Sequence, residues 1–81
     1  MPKPLFPNRA RQYRKEATVL IKVLVDADGK VVEARPVIDK PDPYGFFESA
    51  IQAARLAKFR PARSEGVPIQ MWTTVVISFK Q

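Results

Sequence analysis

The feature that most constrains this fold is an alternating apolar run at residues 17–26, "ATVLIKVLVD", with an Asp-Gly pair directly after it. Alternate residues of a strand point to opposite faces. The more apolar face is therefore predicted to lie against the core, and it consists of Val19, Ile21, Val23 and Val25. Asp28-Gly29 favours a tight hairpin turn because glycine tolerates a positive φ. We predict that a second strand, over residues 31–38, returns antiparallel to the first.

Two further segments are predicted to be helical. Residues 8–15, "NRARQYRK", begin with Asn8, a favourable N-cap, but eight residues need docking against a sheet to stay helical. The second helix is predicted to start with Asp42 as its cap and Pro43 at its first position, and to continue through "FFESAIQAARLAK", residues 46–58. Its apolar residues recur at helical spacing and should face the core: Phe47, Ala50, Ile51, Ala54 and Ala57.

The chain closes with a third predicted strand, over residues 69–80, after a turn at 63–66. Its predicted core face consists of Met71, Thr73, Val75, Ile77 and Phe79. Pro36 donates no ladder hydrogen bond, so the second strand should lie at a sheet edge. The final strand then takes the other edge, beside the first. The prediction is an α+β fold in the order α-β-β-α-β, with a three-stranded antiparallel sheet and two helices packed on one face.

The composition excludes several classes of chemistry. The 81 residues include no Cys and no His, so thiolate or imidazole metal sites and Ser-His or Cys-His catalysis are excluded. We therefore expect no enzyme, no cofactor, no metal and no small-molecule substrate. No apolar run reaches the length of about 18–20 residues that spans a bilayer, and the start lacks the apolar region of a signal peptide. Three prolines in residues 1–7 indicate the end of a Pro-rich linker, with one domain over residues 8–81.

The basic character of the chain is local. The net charge is +6, and residues 1–15 hold five basic residues and no acidic one. Such a segment can attract acidic peptides, phosphates or an anionic membrane, or it can be a solvated helix face. Nucleic-acid binding is a less favoured alternative, because such a sheet would carry basic and aromatic residues interleaved on one exposed face. In this chain the basic residues lie on the first predicted helix, while Phe59 and Phe79 are predicted to lie in the core.

The order of motifs resembles a known family. The segment "FPNRARQYRKEATVLIKVLVDADGKVVEARPV" is followed by a helix, "KFRPA", a Gly turn and "VPIQMWTTVVISF". Over residues 5–80 this set resembles the C-terminal domain of TonB-type energy transducers, to which TolA-type domains are related. The resemblance implies a periplasmic module of a Gram-negative envelope, joined through a Pro-rich spacer to an inner-membrane helix and powered by a proton-driven motor. The domain would grip a short peptide, the TonB box, of an outer-membrane receptor by strand addition.

The resemblance also implies a partner-binding site. The Tyr-Pro pair that the family carries near this site corresponds to Phe6-Pro7, which lacks the hydroxyl, and the Gly before the first strand corresponds to Ala17. At Ala57 an aromatic of the family is replaced, whereas the Asp-Gly and Phe-x-Pro-Ala motifs are kept. The predicted partner-binding residues are Phe6, Pro7, Asn8, Thr73, Thr74, Val75, Val76, Ile77, Ser78 and Phe79.

Several alternatives for the partner stay open at this point. The open edge also predicts that a homodimer can form through the terminal strand. An apolar patch of Trp72, Val76, Leu20 and Leu24 is either a dimer or partner surface, or is covered by lysine stems and the termini. The module could equally tether another envelope-spanning machine. Membrane association is expected only through an upstream anchor.

Overall fold

The computed structural model describes residues 3–81. In chain order the elements are α1 (Asn8–Gln12), β1 (Ala17–Val25), β2 (Val31–Pro36), α2 (Phe46–Leu56), β3 (Ala62–Ser64), β4 (Val67–Ile69) and β5 (Met71–Phe79). The three longer strands form an antiparallel sheet in the order β2-β1-β5, and β3 and β4 form a separate hairpin. This confirms the predicted α+β fold with its three-stranded antiparallel sheet.

The sheet places β1 at the centre. Pro36 pairs with Ile21 at the end of β2, on an edge strand where its missing N–H costs no ladder bond. Leu24 pairs with Glu33 and Val25 with Val31, so one extra residue of β2 bulges out between them. β5 pairs with β1 over its whole length, from Ala17 opposite Phe79 to Val25 opposite Met71.

The core lies on one face of this sheet. All four predicted β1 residues, Val19, Ile21, Val23 and Val25, are buried there. They are joined by residues from every other large element: Ala10, Ala34, Phe46, Ala50, Ala54, Ile77 and Phe79. Because α1 and α2 both contribute to this cluster, both helices pack on the same face, as predicted.

The β1–β2 turn is anchored to the segment that follows α2. The Asp26 carboxylate accepts hydrogen bonds from the backbone N–H groups of Asp28 and Lys30, both at 2.9 Å. Gly29 adopts a φ of 85°, and its carbonyl accepts a hydrogen bond from the Phe59 backbone at 2.9 Å. A Cβ added to Gly29 would lie 2.1 Å from the Phe59 carbonyl oxygen. The Asp-Gly and Phe-x-Pro-Ala motifs thus contact each other directly, through Gly29 and Phe59.

The helices begin and end differently from the prediction. α1 stops at Gln12 rather than residue 15, and its N-cap position is Pro7, without a side-chain cap from Asn8. α2 begins after Gly45, whose left-handed φ of 80° turns the chain into the helix. Asp42 and Pro43 therefore lie outside the helix, although the Asp42 carboxylate still accepts from the Glu48 backbone N–H at 3.2 Å.

The buried face of α2 is rotated from the predicted stripe. Phe46 and Ala53 are buried, whereas Phe47 and Ile51 are only half-buried. The helix ends at Leu56, and Ala57 is extended but still buried.

The final strand is shorter than predicted. It runs from Met71 to Phe79, and residues 62–69, expected to hold a turn and the strand's start, form the β3–β4 hairpin. Met71 and Thr73 were predicted in the core but are exposed, because α2 packs over β2 and β1. The core side of β5 is thus covered only toward its C-terminal end.

Candidate partner-binding edge

β5 has one paired edge and one edge without a strand beside it among residues 3–81. In an antiparallel ladder, the N–H and C=O of one residue point to the same side, and successive residues alternate. The Leu20 carbonyl accepts from Val37 at 3.0 Å and the Asp26 N–H donates to Lys30 at 2.9 Å, so even-numbered β1 residues face β2. Odd-numbered β1 residues consequently face β5.

This alternation divides β5 into two sets. The register places Val23 opposite Thr73, Ile21 opposite Val75 and Val19 opposite Ile77. These β5 residues, with Met71 and Phe79, bond to β1 and are called here the β1-bonded residues. The intervening residues direct their N–H and C=O groups to the unpaired side, and are called here the free-edge residues: Trp72, Thr74, Val76 and Ser78.

The side chains of β5 alternate between the core face of the sheet and the opposite face. On the core face, Ile77 and Phe79 are buried, Val75 is half-buried and Thr73 is exposed. On the opposite face, Thr74, Val76 and Ser78 are exposed, and 64% of Val76 is accessible. Among the predicted binding residues of β5, Ile77 and Phe79 therefore belong to the core and Val75 packs against it. The side chains of the other four are exposed: Thr73, Thr74, Val76 and Ser78.

The segment before α1 lies against the C-terminal end of β5. The Phe6 ring packs edge-on against Phe46 and Phe79, with centroid distances of 6.0 and 6.1 Å. The Ser49 hydroxyl donates a hydrogen bond to the Leu5 carbonyl, which holds this segment on α2. Pro7 is half-buried and Asn8 exposed. The fold thus brings together, at Phe6 and Phe79, the two groups of residues that sequence reasoning assigned to one site.

An open cleft of about 640 Å³ is lined by this segment, by Arg11 of α1 and by the end of β5. Three cationic side chains from three segments line it: Lys3, Arg11 and Lys80. We call it the basic cleft. Sequence reasoning identified the basic residues before β1, but Lys80 joins them only through the pairing of β1 with β5.

The face of the sheet opposite the helices carries the predicted apolar patch. Leu20 pairs with Val76 and Leu24 with Trp72, so the four residues form two direct cross-strand pairs. The Lys22 ammonium lies 5.7 Å from the Trp72 ring centroid and covers part of it. Trp72 remains 43% accessible.

Within residues 3–81, no group of three or more His, Cys, Asp or Glu side chains gathers to hold a metal ion. Over the same residues, no helix has both the length and the apolar character needed to cross a bilayer.

Comparison with known proteins bears on what this edge does. The profile of the Gram-negative bacterial TonB protein C-terminal family matches residues 2–81. The chain belongs to this family. TonB C-terminal domains are protein-interaction modules, and they are periplasmic in Gram-negative bacteria. A search of curated proteins found no match to the chain.

Proposed function

We propose that this TonB-family domain binds an extended segment of a partner protein by strand addition to β5. The observation that carries the proposal is the free edge, where four alternate residues of β5 present backbone groups that no strand within residues 3–81 pairs with. Main-chain hydrogen bonds would supply affinity, and alternate side chains of the guest would supply selectivity. The guest we expect is a TonB-box-like peptide of an outer-membrane receptor, and binding would require no catalytic side chain.

The free energy of backbone pairing, compared with the cost of association, fits reversible binding. A guest covering the four free-edge residues forms up to about eight backbone hydrogen bonds, each contributing about 0.5–1.5 kcal/mol net, or about 4–12 kcal/mol together. Association costs about 4–15 kcal/mol in lost motional freedom. Backbone pairing alone therefore roughly offsets the cost of binding. Side-chain contacts of the guest with the exposed Thr74 and Val76 would then determine the net affinity.

The same geometry suits the transfer of force. The segment before α1 is held on the end of β5 through the contact of Phe6 with Phe79. Residues 1–7 would be the end of a Pro-rich linker from an inner-membrane anchor, so tension would enter the domain at this end. A guest lying along β5 would be loaded in shear, and several hydrogen bonds would share the load.

An amide NMR titration tests the proposal. The ligand is a TonB-box-like peptide. The matched control has the same length and sequence except that proline, which donates no ladder hydrogen bond, replaces two central residues. We expect shifts in residues 71–79 and 5–9 with the first peptide and none with the control. Saturating peptide that perturbs only α2 would contradict strand addition. The titration is run at protein concentrations where the domain is monomeric, because a second copy can compete for the same edge.

A further inference from the structure

The sheet has a second edge strand, β2, and no strand within residues 3–81 lies on its outer side. Even-numbered β1 residues bond to β2, so their partners Glu33, Arg35 and Val37 direct their backbone groups toward β1. The residues between them, Ala34 and Pro36, direct theirs outward. Outward backbone groups can pair with a guest or with a second copy of the domain. What these residues offer therefore decides whether the domain has one binding edge or two.

Pro36 removes a donor from the outer side of β2. Its nitrogen carries no hydrogen, and its ring occupies the space through which the carbonyl of an incoming strand would approach. The two residues that follow it, Val37 and Ile38, are 42% and 60% accessible. Exposed β-branched side chains beside an open edge favour pairing with another strand. The proline thus interrupts the hydrogen-bonding edge at a place where the side chains alone would invite a partner.

The rest of the β2 edge is closed by other means. Only 5% of Ala34 is accessible, so an incoming strand can reach little of its backbone. Further toward the β1–β2 turn, Val31 and Val32 together lie opposite the single residue Val25, and this bulge breaks the regular spacing of the outward groups. β5 differs in each respect, because its four free-edge residues alternate regularly and it contains no proline.

We infer that Pro36, together with the bulge at Val32, closes the β2 edge, so that each domain pairs along β5 alone. Pairing of β2 in one copy with β5 in the next would be head-to-tail and could repeat into a filament, whereas β5-to-β5 pairing is symmetric and stops at two copies. The closed edge therefore limits the domain to one guest strand or one second copy at a time. The statement about a guest rests on the proposed strand addition, and the statement about copies of the domain does not.

Sedimentation velocity over a range of protein concentrations tests the closure. Pro36→Val and Pro36→Thr both restore the missing donor, with β-branched side chains of nearly equal shape, one apolar and one polar. The wild-type domain should form no species larger than a dimer. Both variants should form larger species that increase with concentration, and deletion of Val32 in the Pro36→Thr background should increase them further. Pro41→Thr is the control, because Pro41 is an exposed residue between β2 and α2 that belongs to neither edge.

An amide NMR titration with the TonB-box-like peptide tests the consequence for a guest, at concentrations where each protein is monomeric. In the wild-type domain the peptide should shift residues 71–79 and 5–9 and leave residues 34–38 unchanged. In the Pro36→Thr variant a second set of shifts should appear at residues 34–38. The affinity of this second site should be at least about tenfold lower than that of β5, because it offers fewer backbone donors and acceptors.

The outcomes separate this inference from the proposed function. Wild-type species larger than a dimer, or peptide shifts at residues 34–38 of the wild-type domain, would show that the β2 edge is open. Association of Pro36→Val alone would assign the effect to an added apolar side chain rather than to the restored donor, and the inference would be wrong. It would also be wrong if no variant associates and residues 34–38 stay unchanged in all of them. If both variants associate but the peptide shifts neither edge of any protein, strand addition to β5 fails while the closure of β2 stands.

Discussion

β1 and β5 are both nine residues long and pair with each other throughout, yet they use their backbones differently. β1 is paired on both sides, and its four core residues are at most 4% accessible. β5 is paired on one side, and only Ile77 and Phe79 of its side chains are buried. The comparison indicates that the two strands differ in role, because β1 supplies four core residues while four of the nine β5 residues direct their backbone groups to the unpaired side.

The largest expected effect tests the structural side of this comparison. Ile21 is fully buried, so Ile21→Ala should lower the free energy of unfolding by about 2–5 kcal/mol, through lost transfer energy and a cavity. Val76→Ala on β5 should change it by less than about 0.5 kcal/mol, because the side chain is 64% accessible. Urea denaturation measures both. If Ile21→Ala does not fold, Ile21→Val should still cost about 0.5–1.5 kcal/mol. An equal cost at Val76 would mean that its face is packed, and the comparison would be wrong.

A pair of glycine substitutions tests the contact that anchors the β1–β2 turn. Both Gly29 and Gly66 have φ above 80°, where an L-residue costs about 1–2 kcal/mol. Only at Gly29 does an added Cβ meet backbone, 2.1 Å from the Phe59 carbonyl oxygen, while at Gly66 nothing lies within 4 Å. Gly29→Ala should therefore be more destabilising than Gly66→Ala in thermal or urea unfolding. Equal losses would show that the turn does not depend on its contact with Phe59.

A pair of prolines sharpens the comparison within β5 itself. Thr73 is a β1-bonded residue, so Thr73→Pro removes a ladder hydrogen bond and should destabilise the domain by about 1–3 kcal/mol. Thr74→Pro removes an N–H that faces the free edge, so its effect on unfolding should be smaller. The Thr74→Pro variant should nevertheless bind the peptide about two- to tenfold more weakly, because it lacks one backbone N–H donor at the free edge. The reverse ranking in urea unfolding would mean that the alternation along β5 is inverted.

Much of the fold was predictable from the sequence because its signals are local or periodic. The alternation of Val19 to Val25 and the Asp28-Gly29 turn specified the central hairpin. Pro36 assigned β2 to an edge and so placed β5 at the other. The β3–β4 hairpin was missed because three-residue strands have no detectable period, and the start of α2 because Gly45, rather than Asp42, makes the turn into the helix.

The candidate site was predictable only in part. The length and β-branched character of the last strand indicated an edge that could accept a partner. Which of its backbone groups face outward depends on the register with β1, which single-sequence patterns do not supply. The basic cleft was likewise beyond sequence reasoning, because Lys3, Arg11 and Lys80 meet only after both ends of the chain have packed.

Residue-resolved amide hydrogen exchange, with dilute protein, tests the central claim most directly. In the free domain, the β1-bonded amides of Thr73, Val75 and Ile77 should exchange on the order of a hundredfold or more slowly than those of the free-edge residues. Adding a TonB-box-like peptide should slow exchange at the free-edge residues, so that exchange rates no longer alternate along β5. Two results would contradict the account. One is strong protection of the free-edge amides in the unbound monomer, and the other is continued fast exchange of these amides at saturating peptide.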